Sequence, residues 1–222
     1  MREICYFCNK PATTDEHVLP KCIFPEQKDS NGKDYRLNLI TVPSCDIHNI
    51  EKSKDDEYLM MILAAHYKNN GVAKNHVATK IFRSWKLNPS FARTVVKKPQ
   101  LVQIDGENHI AFEIDDEKFN RVLELTANGI YFHTFNSKTL YGYKLVATPF
   151  LKAEGTDADF INSTRKKLLG TAELLFNNSP KLGENQKVFW YQLTPEIEGM
   201  TTMRMCFYEA FHVVLMASPN LV

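Results

Sequence analysis

The run CYFCNKPATTDEHVLPKC, residues 5–22, sets an acid and a histidine, Glu16-His17, between cysteines. Pro11, Thr13, Thr14, Asp15 and Pro20 interrupt any helical pattern, so this stretch reads as loop or strand edge. Its first two cysteines form a Cys5-x-x-Cys8 pair, and a second pair, Cys45-Asp-Ile-His48, follows. Each pair places two soft ligands on one turn. Together they supply the four sulfur and nitrogen donors of a closed, tetrahedral structural zinc site. Cys22 has no paired neighbour and is read as a core residue. Residues 1 to about 50 otherwise hold turn formers and short apolar pieces such as LNLITV, so a metal staple is expected to support them.

The rest of the composition describes a folded protein. The chain has 222 residues, 44% of them apolar and 11% aromatic, enough for a substantial core. The longest apolar run, YLMMILAA at 58–65, is far short of the ~20 residues a membrane span needs, and the start has no apolar stretch of signal-peptide length. A soluble, cytoplasmic protein is expected, with no membrane partner. Five cysteines, an odd number, point to reduced thiols and metal ligands rather than a disulfide framework.

Net charge is +1, but its distribution is uneven. Residues 1–100 carry 16 Lys and Arg against 11 Asp and Glu, while 101–222 carry 11 against 15. Between Glu57 and Asp105 no acid occurs, yet Lys68, Lys74, Lys80, Arg83, Lys86, Arg93, Lys97 and Lys98 all fall there. A one-signed stretch suits a phosphate backbone, and Lys80, Arg83 and Lys86 are its expected nucleic-acid contacts. A solvated basic face is the plainer alternative.

Apolar spacing predicts a helix from Asp46 to about Asn69, closed by Asn69-Asn70-Gly71, and another over 73–85. QLVQI and HIAFEI around Asp105-Gly106 predict a hairpin. Helices are expected near 116–128 and 157–176, and the aromatic, β-branched end reads as strands. The expected class is α+β, organised as 1–69, 70–100 and 101–222, the last an accessory region suited to dimerisation or partner docking.

Taken together, Cys5-x-x-Cys8, Glu16-His17-x-x-Pro20, Asn38-Leu39 and Cys45-x-x-His48-Asn49-x-x-Lys52 resemble the HNH nuclease family and its ββα-metal fold. The resemblance covers residues 5 to 56, about a quarter of the chain. It implies a metal-dependent endonuclease in which His17 is the general base, Glu16 and Asn49 bind a catalytic Mg²⁺ or Mn²⁺, and Asn38 braces the loop that holds the base. DNA is the implied substrate, with RNA left open. Stand-alone family members of this size resemble effectors of bacterial restriction and anti-phage defence, encoded beside a sensor or ATPase partner. A zinc-stapled adaptor that binds nucleic acid without cutting is the alternative. Adjacent residues of a regular strand face opposite sides, so Glu16 and His17 need a strand end or distorted edge to reach one phosphate.

Neighbouring residues carry weaker expectations. Lys52 would hold a phosphate or be solvated. Ser53 lies one helical turn beyond Asn49, and Asp55 and Asp56 would be exposed helix charges or touch the metal through water. His66, His76, His109, His133 and His212 have no paired spacing and read as packed or surface residues.

Overall fold

The computed structural model describes residues 3–53, 55–152 and 154–219. At the N-terminus the chain folds back on itself through Cys5 N–H to Lys10 O (3.0 Å) and Ala12 N–H to Glu3 O (2.9 Å). Strand β1 (Thr14–His17) then pairs antiparallel with β2 (Thr41–Ser44) in unbroken register, Glu16 opposite Val42 and His17 opposite Thr41. Pro43 is tolerated because a two-stranded sheet leaves each strand a free edge. Between the strands, 3₁₀ turns at Lys21–Ile23 and Gln27–Asp29 bury Val18, Leu19, Ile23, Phe24 and Tyr35. Helix α1 (Asp46–Ser53) starts directly after β2, its first residue held by Thr13 Oγ1 donating to Asp46 Oδ1 at 2.6 Å. The order β1–β2–α1 is a ββα unit.

The single helix expected from residue 46 onward is two. α2 (Asp56–Ala64) begins afresh, because the buried Asp55 stands at ψ 5° and turns the chain. Every residue from Tyr58 to Ala64 is buried, which makes α2 a central core helix with no solvent face. The two asparagines after it do opposite jobs. Asn69 Nδ2 donates to the α2 carbonyls of Leu63 (2.7 Å) and Ala64 (3.2 Å), whereas Asn70 Oδ1 accepts from Val72 and Ala73 N–H and opens α3 (Gly71–His76). α3 runs through a π turn, Val77–Ile81, into α4 (Phe82–Leu87). Thr79 Oγ1 donating to Asn75 O at 2.8 Å competes for a carbonyl of the helical ladder at this point. The short α5 (Pro89–Val95) follows, with Asn88 as N-cap and proline in its first turn.

The hairpin of β3 (Lys97–Ile104) and β4 (Glu107–Glu113) turns at Asp105 (φ 53°) and Gly106 (φ 84°), the two left-handed residues a tight hairpin turn requires. The long α6 (Asp116–Phe135) starts at an Asp115 cap and ends at left-handed Asn136. β5 (Tyr143–Ala147), α7 (Ala158–Leu175), β6 (Phe189–Leu193), β7 (Thr201–Phe207) and β8 (Phe211–Ala217) complete the chain. They build an antiparallel sheet in the order β5-β8-β7-β6. The class is mixed α and β as expected, with β5 among the strands that sequence reasoning did not single out.

Packing does not divide at residue 69 or 100. One continuous apolar core runs from Cys5 through α2 and α6 to β8. Tyr208 Oη donates to Ile23 O at 2.6 Å and stands 3.1 Å from His76 Nδ1, joining the ββα connection, α3 and the β7–β8 turn. Asn70 Nδ2 reaches Lys187 O (2.8 Å) and Glu209 Oε2 (2.9 Å), and Asn185 Nδ2 reaches Leu37 O (3.1 Å). The first fifty residues are therefore short of core only when counted alone. The remainder of the chain covers them.

Candidate metal centre and the charges beside it

Cys5, Cys8, Cys45 and His48 converge so that their ligand atoms all lie within 4.8 Å of one another. Cys8 Sγ is 3.8 Å from Cys45 Sγ, and His48 Nδ1 is 3.3 Å from Cys45 Sγ and 3.6 Å from Cys5 Sγ. A zinc tetrahedron with metal–sulfur bonds of about 2.3 Å has edges near 3.7 Å, so these separations fit a single ion. All five cysteines are free thiols, with no disulfide competing. Burial works against a Cys5 thiolate. The backbone N–H groups of Cys8, Phe7 and Cys45, with the His48 side chain, outweigh it and bring Cys5 down to about 6. Cys8 is instead raised, by burial and by the neighbouring sulfurs. The donors thus suit zinc. Cys22 lies outside the cluster, where burial pushes its thiol up to about 12 and Sγ donates to Asp56 O at 3.4 Å.

Helix α1, which carries the candidate ligand His48, is seated against β1 by Asn49 and Lys52. Asn49 Nδ2 donates to Thr14 Oγ1 at 3.1 Å. One turn on, Lys52 Nζ stands 2.8 Å from Glu16 Oε1 and donates to the carbonyl of His17. Thr14 and Glu16 share the face of β1 that α1 covers, and His17 takes the other. Because β1 has no bulge, the alternation of a regular strand holds and Glu16 and His17 part company.

Glu16 and Lys52 are both buried, with side chains 5% and 3% exposed. The phosphate contact or solvated role expected of Lys52 is thereby replaced by an internal ion pair. The same pair decides the fit of a catalytic divalent ion. Mg²⁺ keeps several waters, whereas the Glu16 carboxylate is closed from solvent and already faces an ammonium. Both Glu16 oxygens are buried and make no hydrogen bond among the described residues, the cation beside them being Lys52, while Asn49 commits only its Nδ2. Asn38 sits at φ 52° in the loop leading to β2. Val18 N–H, next to His17, bonds Ile40 O at 2.9 Å, so the Asn38 loop and the end of the strand that carries His17 are tied through the backbone.

His17 is half-buried, and its pKa is lowered by burial, then by the cations of Lys21 and Lys52, against an opposing pull from Glu16. These influences favour the neutral imidazole, the form a general base needs. Lys21, exposed at the surface near His17, escaped sequence reasoning; its signal was its place four residues after the histidine. Tyr6 escaped too. Buried, and next in sequence to the candidate ligand Cys5, it has its hydroxyl pushed up by burial and by the Glu16 charge.

Neither neighbouring acid is the exposed helix charge expected of it. Asp55 is buried and bound by Arg121 of α6, a partner no local pattern could reveal. Burial raises Asp56 to about 6, with Lys52 pulling the other way. Ser53 Oγ donates to Ile50 O within its own helix at 3.0 Å. His76 is fully buried, His66 packs edge-on to Phe211, His109 lies against Tyr67 and His212 against Trp190, while His133 is exposed.

The basic stretch 68–98 is partly neutralised by acids from elsewhere. Arg83 binds Asp29 through both nitrogens (2.8 and 3.3 Å), Lys68 faces Asp105, Lys97 faces Asp115 and Lys98 faces Glu113. Among the described residues, Lys74, Lys80, Lys86 and Arg93 make no ion pair. Of the three expected contacts, Lys80 and Lys86 thus keep uncommitted charge and Arg83 does not.

Compared with protein-family models, curated proteins and solved structures, the chain matches none. Among the described residues, no helix is long and apolar enough to cross a membrane.

Proposed function

We propose that the chain is a zinc-stapled endonuclease of the HNH kind that hydrolyses phosphodiester bonds, DNA first among its substrates. The observation that carries this reading is the seating of α1: clamped at its first turn by the zinc ligands, it lies on β1 and sets Asn49 and Lys52 against the strand that ends in His17. A zinc-bound ββα unit with a neutral, half-buried histidine at the strand end is suited to activating water against a phosphate.

In this reading His17 accepts a proton from the attacking water. Lys21 places a positive charge near the imidazole, where it favours an anionic phosphate over bulk water. Lys80 and Lys86 provide further contacts along the backbone. The zinc, saturated by four protein donors, supplies folding energy and takes no part in bond cleavage. No step is assigned to a divalent ion, because the carboxylate that would hold one faces Lys52.

The test is cleavage of plasmid, single-stranded DNA and RNA, with Mg²⁺, Mn²⁺ and chelator, by the parent protein and His17→Ala. The parent is expected to cut and the variant to lose about 10²–10⁴ in rate. His17→Ala cutting at the parent rate would overturn the base assignment. The closure of Glu16 by Lys52 favours one other reading, a nucleic-acid adaptor that binds without cutting. Binding with no cleavage under any of these conditions would establish it.

A further inference from the structure

We propose that Lys52 is a positioning residue for His17, carrying the order of the zinc-clamped helix to the strand end that bears the base. This rests on the nuclease reading for its kinetic consequence, though not for its structural one. Lysine is almost never fully buried unless paired. Here a 3%-exposed side chain places one ammonium 2.8 Å from Glu16 Oε1 and within bonding reach of His17 O. Those contacts fall on the side chain just before His17 and on His17's own carbonyl. One atom therefore links the His17 carbonyl to the Glu16 side chain under α1.

The anchor itself is fixed. α1 has only eight residues, too short to be stable by itself. Its position comes from His48 on the zinc, and Lys52 is four residues later, on the same side of the helix. Zinc order thus reaches His17 through two contacts. The Asp56 carboxylate also feels the Lys52 charge, while Asp55 is tied to Arg121, so Glu16 and Asp56 are the acids that face Lys52.

Removing Lys52 alone would strand a buried Glu16 charge and endanger the fold. The informative variant is therefore the double one, Lys52→Met with Glu16→Gln, which removes both charges at nearly constant shape. It is expected to fold, bind one zinc and bind plasmid DNA as the parent does. Its kcat should fall roughly 10- to 100-fold with KM unchanged, the scale of a base displaced by about 1 Å. Independently of activity, ¹⁵N spectra of the zinc-loaded protein should show His17 ring signals that are sharp in the parent and broadened or doubled in the variant. Lys52→Arg, keeping the charge, should recover part of both.

Parent-like kcat and parent-like His17 signals in the double variant would overturn the proposal, as would loss of fold or zinc, which would assign the pair to stability alone. If the parent itself does not cleave, the nuclease reading fails while the ring signals still decide whether Lys52 orders His17.

Discussion

Gly129 of α6 lies directly against Val18, one residue past His17: a Cβ at position 129 would stand 3.0 and 3.1 Å from the two valine methyls. Val18 is almost fully buried and β-branched, with little rotamer freedom to yield. Helix α6 is thus packed directly onto the residue that follows β1, the Val18 side chain lying against its backbone at Gly129. Gly129→Val is expected to destabilise the protein by roughly 1–3 kcal/mol through overpacking. Chemical denaturation reads this out, and a parent-like midpoint would show that α6 does not press on the ββα unit.

Metal content separates the cysteines. Purified protein should hold about one tightly bound zinc, and Cys45→Ser should lose it together with much of its thermal stability. Cys22→Ala should retain the metal, since Cys22 lies outside the donor cluster. Elemental analysis of the three proteins checks this; folded parent protein without zinc would remove the structural site.

Stability should fall in mild acid, with His76 a named contributor. Burial, helped by Lys80 and Arg36, lowers its pKa to about 4, and Nε2 has no partner among the described residues. The native state keeps the ring neutral, whereas the unfolded chain takes a proton near the ordinary value of about 6.5. The contribution is complete above about 6.5 and is lost as pH falls toward about 4. His66 and His212, also lowered to about 4 by burial, act with the same sign, and Asp56, raised to about 6, offsets part. Denaturation at pH 7 and pH 5 should show a smaller difference for His76→Asn than for the parent.

On the basic segment, Lys80→Ala with Lys86→Ala should weaken DNA binding about equally across sequences. The slope of log affinity against log salt should become shallower by about 2, near 0.9 per lost phosphate contact. Arg83→Ala should behave differently, lowering stability by leaving the little-exposed Asp29 carboxylate without its partner. Unchanged affinity at low salt for the lysine variant would mean that this segment faces away from the nucleic acid.

What the sequence by itself determined was local. Four soft ligands in two pairs marked the metal cluster, because two donors on one turn need no distant information. The Asp105-Gly106 hairpin, the start of α6 and the extent of α7 followed from turn chemistry and helical period, whereas α6 runs past the expected 128 to Phe135. The Glu16-His17 pair was legible as an unusual dipeptide, but its two directions were not: strand alternation sent one side chain under α1 and the other outward. Lys52 read as a surface charge because its partner lies 36 residues away, and Arg83 read as a free cation because Asp29 lies 54 away. Burial and charge pairing are properties of distant segments brought together, so only the tertiary structure could turn Lys52 into an internal cation, divide the 46–69 helix at Asp55, and set α6 against Val18, the residue after His17.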